Sequence, residues 1–245
     1  MADNTTETAS LDLLAFGAHP DDIEIAAGGT VIALSSQGYL IGVVDITAGE
    51  MGTRGDVETR ASECAAASKL LGIVCRENLG LPDGDIQSNK ESRREVIDVI
   101  RKYRPSVVLG PWRESRHSDH GRAHRLIVES AFEAGLSKLD APGNPYRPPG
   151  VIFYQDHRFD QVPNFVVDIS ETFKAKMSAI RAYRSQFSAD SEYGPQTYLT
   201  RKTFLGELLA RNRFLGSQIG ARYGEGFIVE GPLPVRDPLA LWRTE

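Results

Sequence analysis

Residues 11–22 read Leu-Asp-Leu-Leu-Ala-Phe-Gly-Ala-His-Pro-Asp-Asp, and this stretch decides the fold. Leu11–Ala18 is an apolar run broken only by Asp12, the pattern of a strand buried on both faces of a parallel sheet. The polar turn His19–Asp22 follows at once. A helical stretch from about Glu24 to Gln37 comes next, with Gly38 at the natural C-cap position.

The alternation continues outward. Leu40–Ile46 is a second apolar strand, Thr47–Gly55 a glycine-rich loop, Val57–Leu71 a helix with an Ala/Leu face, and Ile73–Leu79 a short strand. Asn89 is placed to cap a helix running to Tyr103, where Pro105 stops it. Ser106–Gly110 reads as a strand and about Asp119–Ser137 as a helix. Strand alternating with helix predicts a Rossmann-like α/β domain with a mainly parallel sheet and ligands beyond the carboxyl ends of its strands. After the proline-rich loop Ala141–Gly150, Val151–Gln155 and Phe165–Ile169 lie too close in sequence for a crossover helix. They are expected to form an antiparallel edge. Helices over about Glu171–Ser185 and Leu199–Gly216, with Phe227–Val229 as a last strand, close the domain. Residues 1–10 are polar, lack an apolar signal-peptide core and are expected to be a disordered tail; residues 11–245 are expected to be one domain.

The chain has 245 residues, 41% of them hydrophobic and 25% charged, as in an ordinary globular protein. A net charge of −5 argues against nucleic-acid binding through bulk charge, although arginines gather between Arg93 and Arg125. No run approaches the ~18 apolar residues of a membrane span. Two cysteines, Cys64 and Cys75, read as unpaired thiols, which fits a cytoplasmic location.

The chemistry gathers at two strand ends. In the first loop, His19 and Asp22 are three residues apart and offer ordinary zinc ligands, with Asp21 beside them. A lone His-Pro-Asp-Asp is common turn chemistry. A dinucleotide site needs glycines where His19, Pro20 and Asp21 stand, and paired carboxylates repel phosphate, so that alternative is poor. Residues 113–124, RESRHSDHGRAH, carry His117, His120 and His124, three of the five histidines in the chain. Taken singly, a histidine is usually a surface or core residue. Two clusters at two strand ends point to a catalytic metal instead, and two cysteines are too few for a Cys-rich structural site. Trp112 reads as core, His124 as a plain helix residue, and His157 as pocket rim or no site at all.

Ala18–Asp22, Thr47–Gly55 and His117-Ser118-Asp119-His120 resemble the three signature blocks of the PIG-L (LmbE-like) deacetylase family. The resemblance extends to Asn164–Ile169, Ser185-Gln186-Phe187 and Gly224–Phe227, and is closer to the branch acting on N-acetylglucosaminyl malate in bacillithiol biosynthesis. It implies His19, Asp22 and His120 as zinc ligands, ferrous iron being the other metal such donors accept. It further implies Asp21 as general base, His117 as transition-state stabiliser and Asp119 as the group orienting it. Glu50, Arg54 and Arg60 lie where substrate contacts are implied, with Arg147 a weaker candidate. Where some members carry an oxyanion tyrosine, this chain has Phe204, with Tyr198 nearby. The implied enzyme is a metal-dependent N-deacetylase of a small amino-sugar conjugate, without nucleic acid or membrane partners, and a homo-oligomer, with a hexamer as one form. The enzymatic alternative is a deacetylase of another N-acetylated sugar or small amide. The rival from a different class is a non-catalytic Rossmann-like binding module with a structural metal, but such a site has no need of Asp21.

Overall fold

The structure, a computed structural model, describes residues 10–155 and 161–239; His157 and the first nine residues lie outside it. In chain order the elements are β1 (Leu13–Gly17), α1 (Asp22–Ser36), β2 (Ile41–Asp45), α2 (Val57–Leu71), β3 (Cys75–Asn78), α3 (Lys90–Tyr103), β4 (Val107–Pro111) and α4 (Ser118–Glu133). They continue with β5 (Gly150–Tyr154), β6 (Phe165–Asp168), α5 (Phe173–Ala182), α6 (Arg184–Phe187), α7 (Phe204–Gln218) and β7 (Gly224–Val229).

One seven-stranded sheet runs in the order β3-β2-β1-β4-β5-β7-β6. β1 pairs in parallel with β2 on one side (Ala15 opposite Val43) and with β4 on the other (Ala15 opposite Leu109). The strand order reverses between β1 and β4, so the crevice beyond their carboxyl ends is the switch point where such sheets bind ligands. The loops carrying His19–Asp22 and His117–His120 leave from these two strand ends.

All five residues of β1 are buried because both faces of the sheet are covered. Leu14 and Phe16 pack with Val96 and Ile100 of α3 and Leu126 and Ile127 of α4. Leu13 and Ala15 point the other way, toward Ile23, Ala27 and Val31 of α1. That helix is buried on most of its surface, between the sheet and α5. Local signals set several boundaries: Asp56 accepts from Thr59 N at the start of α2, and Asn89 accepts from Ser92 N at the start of α3.

The antiparallel edge is present with different partners from those expected. β5 and β6 are not neighbours; β7 lies between them and runs antiparallel to both, with Tyr154 and Phe165 each opposite Phe227. β7 returns from the end of the fold to fill that place, so nearness in sequence misled the pairing. The first late helix breaks at Tyr183, whose hydroxyl donates to the buried Glu24 Oε1 at 3.1 Å. The second begins at Phe204 rather than Leu199, and α4 stops at Glu133. Cys64 and Cys75 are unpaired and half-buried. Among the described residues, no helix is long and apolar enough to cross a membrane.

Candidate active site

The turn after β1 is built for close packing. A Cβ on Gly17 would lie 2.9 Å from the His19 carbonyl oxygen, so only glycine lets the chain fold back there. Asp22 Oδ2 accepts from the His19 backbone N–H at 2.9 Å and closes the turn. Between them, Asp21 adopts φ 111°, ψ −21°. For a residue with a Cβ this costs of order 1–3 kcal/mol, and such strain persists only where the surroundings enforce it.

Arg60, from α2, is one of those constraints. Its Nη2 lies 3.3 Å from Asp21 Oδ2, and its Nη1 donates to the Gly49 carbonyl at 3.3 Å. Gly49 has φ 69°, and a Cβ there would fall 1.8 Å from Arg60 Nη1, so this glycine keeps the path from Arg60 to Asp21 open. Burial pushes the Asp21 carboxyl up, Arg60 opposes it, and the result is about 7.

The second loop delivers its histidines from the start of α4. His120 Nε2 lies 3.2 Å from Asp22 Oδ1, and its Nδ1 is 3.0 Å from Ser115 Oγ. His19 Nδ1 lies 3.5 Å from Asp22 Oδ2. Donor atoms of His19, Asp22 and His120 fall within 4.8 Å of one another, as do those of His19, His117 and Asp119. His19 belongs to both sets. Burial works against an imidazolium at His19, but Asp119, Asp22 and Asp83 outweigh it and push its pKa up to about 12. Burial would raise Asp22, yet His120 and His19 hold it well below the usual carboxylate range. The carboxylates that favour a positive charge at His19 would favour a divalent cation in the proton's place, so the donor set fits such an ion.

His117 caps α4, and its Nδ1 accepts from the Asp119 backbone N–H at 3.3 Å. Burial, then the charges of His19 and His120, lower its pKa. A neutral His117 therefore carries its proton on Nε2. Asp119 meets His117 through its backbone rather than as a carboxylate partner. Its carboxylate accepts from Gly84 N at 2.7 Å and Arg122 Nη1 at 3.0 Å, and stands 3.5 Å from His19 Nε2.

These groups form one wall of a cavity of about 400 Å³, which Met51, Arg116, Tyr154, Gln155, Gln186, Tyr198 and Phe204 also line. Phe204 thus sits at the cavity, with the Tyr198 ring edge-on to it at 5.7 Å. Of the four residues expected to contact substrate, Arg60 lines the cavity, and Glu50, Arg54 and Arg147 are not part of its lining. Arg54 is 1% exposed and spends all its donors on carbonyl oxygens of the segment Ser185–Pro195. Arg147 donates to the Phe132 carbonyl and stacks on the Phe132 ring, at the far end of α4 from His117. Glu50 is exposed and accepts from Asp83 N at 2.8 Å. His124 and Trp112 are core: the His124 ring packs on Phe153, with Nδ1 3.1 Å from the Pro111 carbonyl.

Sequence reasoning missed Asp83 and Arg116. Asp83 sits in Leu81-Pro82-Asp83-Gly84 beyond β3, and Pro-Asp-Gly reads as a plain turn; its one signal was its place after a strand. The Arg116 guanidinium lies 4.3 Å from the Tyr198 ring, which also has that of Arg201 at 3.9 Å.

Comparison with known proteins bears on the same segments. The family described as GlcNAc-PI de-N-acetylase, PIG-L, matches residues 14–131. A diacetylchitobiose deacetylase from Thermococcus kodakarensis is 33% identical over 223 residues, covering 85% of this chain and 79% of its own. A probable N-acetyl-alpha-D-glucosaminyl L-malate deacetylase from Bacillus cereus is 28% identical over 184 residues, covering 70% of this chain and 81% of its own. The crystal structure of a conserved protein from Thermus thermophilus superposes with a TM-score of 0.83 at 36% identity, over 92% of this chain and 97% of that one. The chain belongs to the PIG-L family and is an N-deacetylase.

Proposed function

We propose that this deacetylase is a zinc enzyme that hydrolyses the N-acetyl group of N-acetylglucosaminyl malate, releasing acetate and the free amine. The observation that carries the reading is the convergence of His19, Asp22 and His120 at the switch point of the sheet, with the strained, buried Asp21 beside them.

His19, Asp22 and His120 would hold the ion, and ferrous iron suits the same donors. When bound, zinc supplies Lewis acidity, which polarises an amide carbonyl and eases the deprotonation of water. Asp21 accepts the proton from the attacking water and passes it to the departing amine. Burial raises the Asp21 carboxyl above the usual carboxylate range, which favours its holding the proton between the two transfers. His117 presents Nε2–H to the amide oxygen as charge builds there, and the Asp119 backbone holds that tautomer. Arg60 keeps the Asp21 carboxylate in place.

The malate assignment rests on similarity to the Bacillus cereus relative and on a guanidinium in the cavity lining, that of Arg116. Arg116 lines the cavity with its guanidinium 4.3 Å from the Tyr198 ring, and its charge suits a malate carboxylate.

The test is amine release by the zinc-loaded enzyme from N-acetylglucosaminyl malate, diacetylchitobiose and N-acetylglucosamine. The malate conjugate is expected to be turned over best. Arg116→Ala should raise its KM about ten- to a hundred-fold, the equivalent of a lost charged pair, and leave chitobiose almost unaffected. Faster turnover of chitobiose by the unmodified enzyme removes malate and leaves the sugar deacetylase.

A further inference from the structure

Each imidazole beside Asp22 is gripped on the ring nitrogen that faces away from it. For His120 the grip is Ser115 Oγ, 3.0 Å from Nδ1. For His19 it is Asp83 Oδ1, 3.0 Å from Nε2 and closer than the Asp119 oxygen at 3.5 Å. A histidine that binds metal through one nitrogen and donates from the other to a carboxylate is fixed in orientation and strengthened as a ligand. Asp83 fills that place for His19 and leaves the Asp22-facing nitrogen for the metal.

The same side chain holds the cavity rim. Asp83 Oδ2 accepts from Met51 N at 2.9 Å, and the Asp83 backbone N–H donates to Glu50 Oε1 at 2.8 Å. Met51 lines the cavity yet is 73% exposed, so little packing of its own side chain holds this turn. One carboxylate thus joins a metal-site imidazole to the Glu50–Met51 turn, with an oxygen for each.

We infer that Asp83 is a positioning residue that orients His19 for the metal and latches the Glu50–Met51 turn to it, so that metal binding and ordering of the rim are linked. The inference rests on the metal-centre reading given above. Because Oδ2 is pinned by Met51 N, Oδ1 has a fixed direction, and His19 cannot rotate without losing it. An imidazole held by metal fixes the carboxylate in turn, and with it the acceptor for the Met51 amide.

Zinc affinity of the metal-free protein, measured by competition with a chelating dye, tests the first half without reference to turnover. Asp83→Ala should bind zinc about 10–100-fold more weakly than wild type. Asp83→Asn keeps the shape and one acceptor oxygen, and should fall between the two. Amide hydrogen exchange tests the second half: zinc should slow exchange at Met51 in the wild type and have no such effect in Asp83→Ala. A purely structural role for Asp83 would lower thermal stability in both metal states and leave zinc affinity and its link to Met51 exchange untouched. Wild-type affinity in both variants overturns the inference, as does Met51 exchange in the wild type that ignores zinc. If Asp83→Ala does not fold, wild-type affinity in Asp83→Asn alone overturns it. A wild-type protein that binds no zinc overturns the metal-centre reading, and this inference with it.

Discussion

Replacing Arg54 by Met should destabilise the protein and harm all substrates alike. Nε donates to Ser185 O at 2.8 Å, Nη1 to Gly194 O at 2.7 Å and Pro195 O at 3.0 Å, and Nη2 to Ser188 O at 3.0 Å and Asp190 O at 2.6 Å. A net ~1.5–3 kcal/mol for each charged hydrogen bond would total roughly 7–15 kcal/mol, as much as a whole domain's stability. That sum is too large, because the segment can relax and turn several of these carbonyls to water. Removing one partner from a buried charged network typically costs about 3–5 kcal/mol, and that is the expected loss. For a chain of this size it corresponds to a fall in Tm of roughly 6–20 °C. Arg54→Lys should recover little, since an ammonium cannot reproduce the planar fork. Urea unfolding gives the stability, and steady-state kinetics on the malate conjugate and diacetylchitobiose give the functional effect. The segment leads directly to Thr197 and Tyr198 of the cavity wall, so both substrates should suffer equally. Unaltered stability with a KM rise confined to the malate conjugate would refute this account and restore Arg54 as a substrate contact.

Three other perturbations separate the roles. Asp21→Asn should keep the fold, since asparagine tolerates positive φ, and keep the metal, while turnover falls ~10²–10⁴-fold. Elemental analysis decides this: metal lost from Asp21→Asn, or retained in His120→Ala, would reverse the division between base and ligand. Glu225 accepts from Lys176 Nζ at 2.5 Å and from the Gly29 and Thr30 backbone N–H groups at 2.9 and 2.7 Å. Glu225→Ala strands a buried ammonium and should cost about 3–5 kcal/mol in urea unfolding; a loss under about 1 kcal/mol would contradict the pairing. Burial lowers the His124 pKa against the opposing Pro111 carbonyl, so below about pH 6.5 the unfolded chain takes up a proton that the folded one refuses. Its stabilisation is complete above that pH and is lost as pH falls. His124→Phe should therefore show a shallower fall in stability between about pH 7 and 5, by at most ~1.4 kcal/mol per pH unit, and equal slopes would be the contrary result.

The sequence by itself determined the parts whose causes are local. The continuous apolar run before His19 makes a strand buried on both faces, and Asp56, Asn89 and Gly38 punctuate helices through bonds or φ angles within a few residues. The two metal-site loops were legible in part for the same reason: parallel topology sends both strand ends to one edge, and the pairing of β1 with β4 then brings His19–Asp22 and His117–His120 together. Tertiary structure alone decided what depends on distant partners. β7 enters between β5 and β6 and pairs with both, and no short window of sequence records that pairing because any strand offers the same backbone donors and acceptors. Arg54 reads as an anion-binding residue until carbonyl oxygens more than 130 positions away claim its guanidinium. Asp83 reads as turn chemistry until the fold sets it against His19, 64 positions earlier. A guanidinium satisfies a carboxylate or five carbonyls with the same donors, and a carboxylate serves a turn or an imidazole with the same oxygens. Residue type states which bonds a side chain can make, and only the packed chain selects its partners.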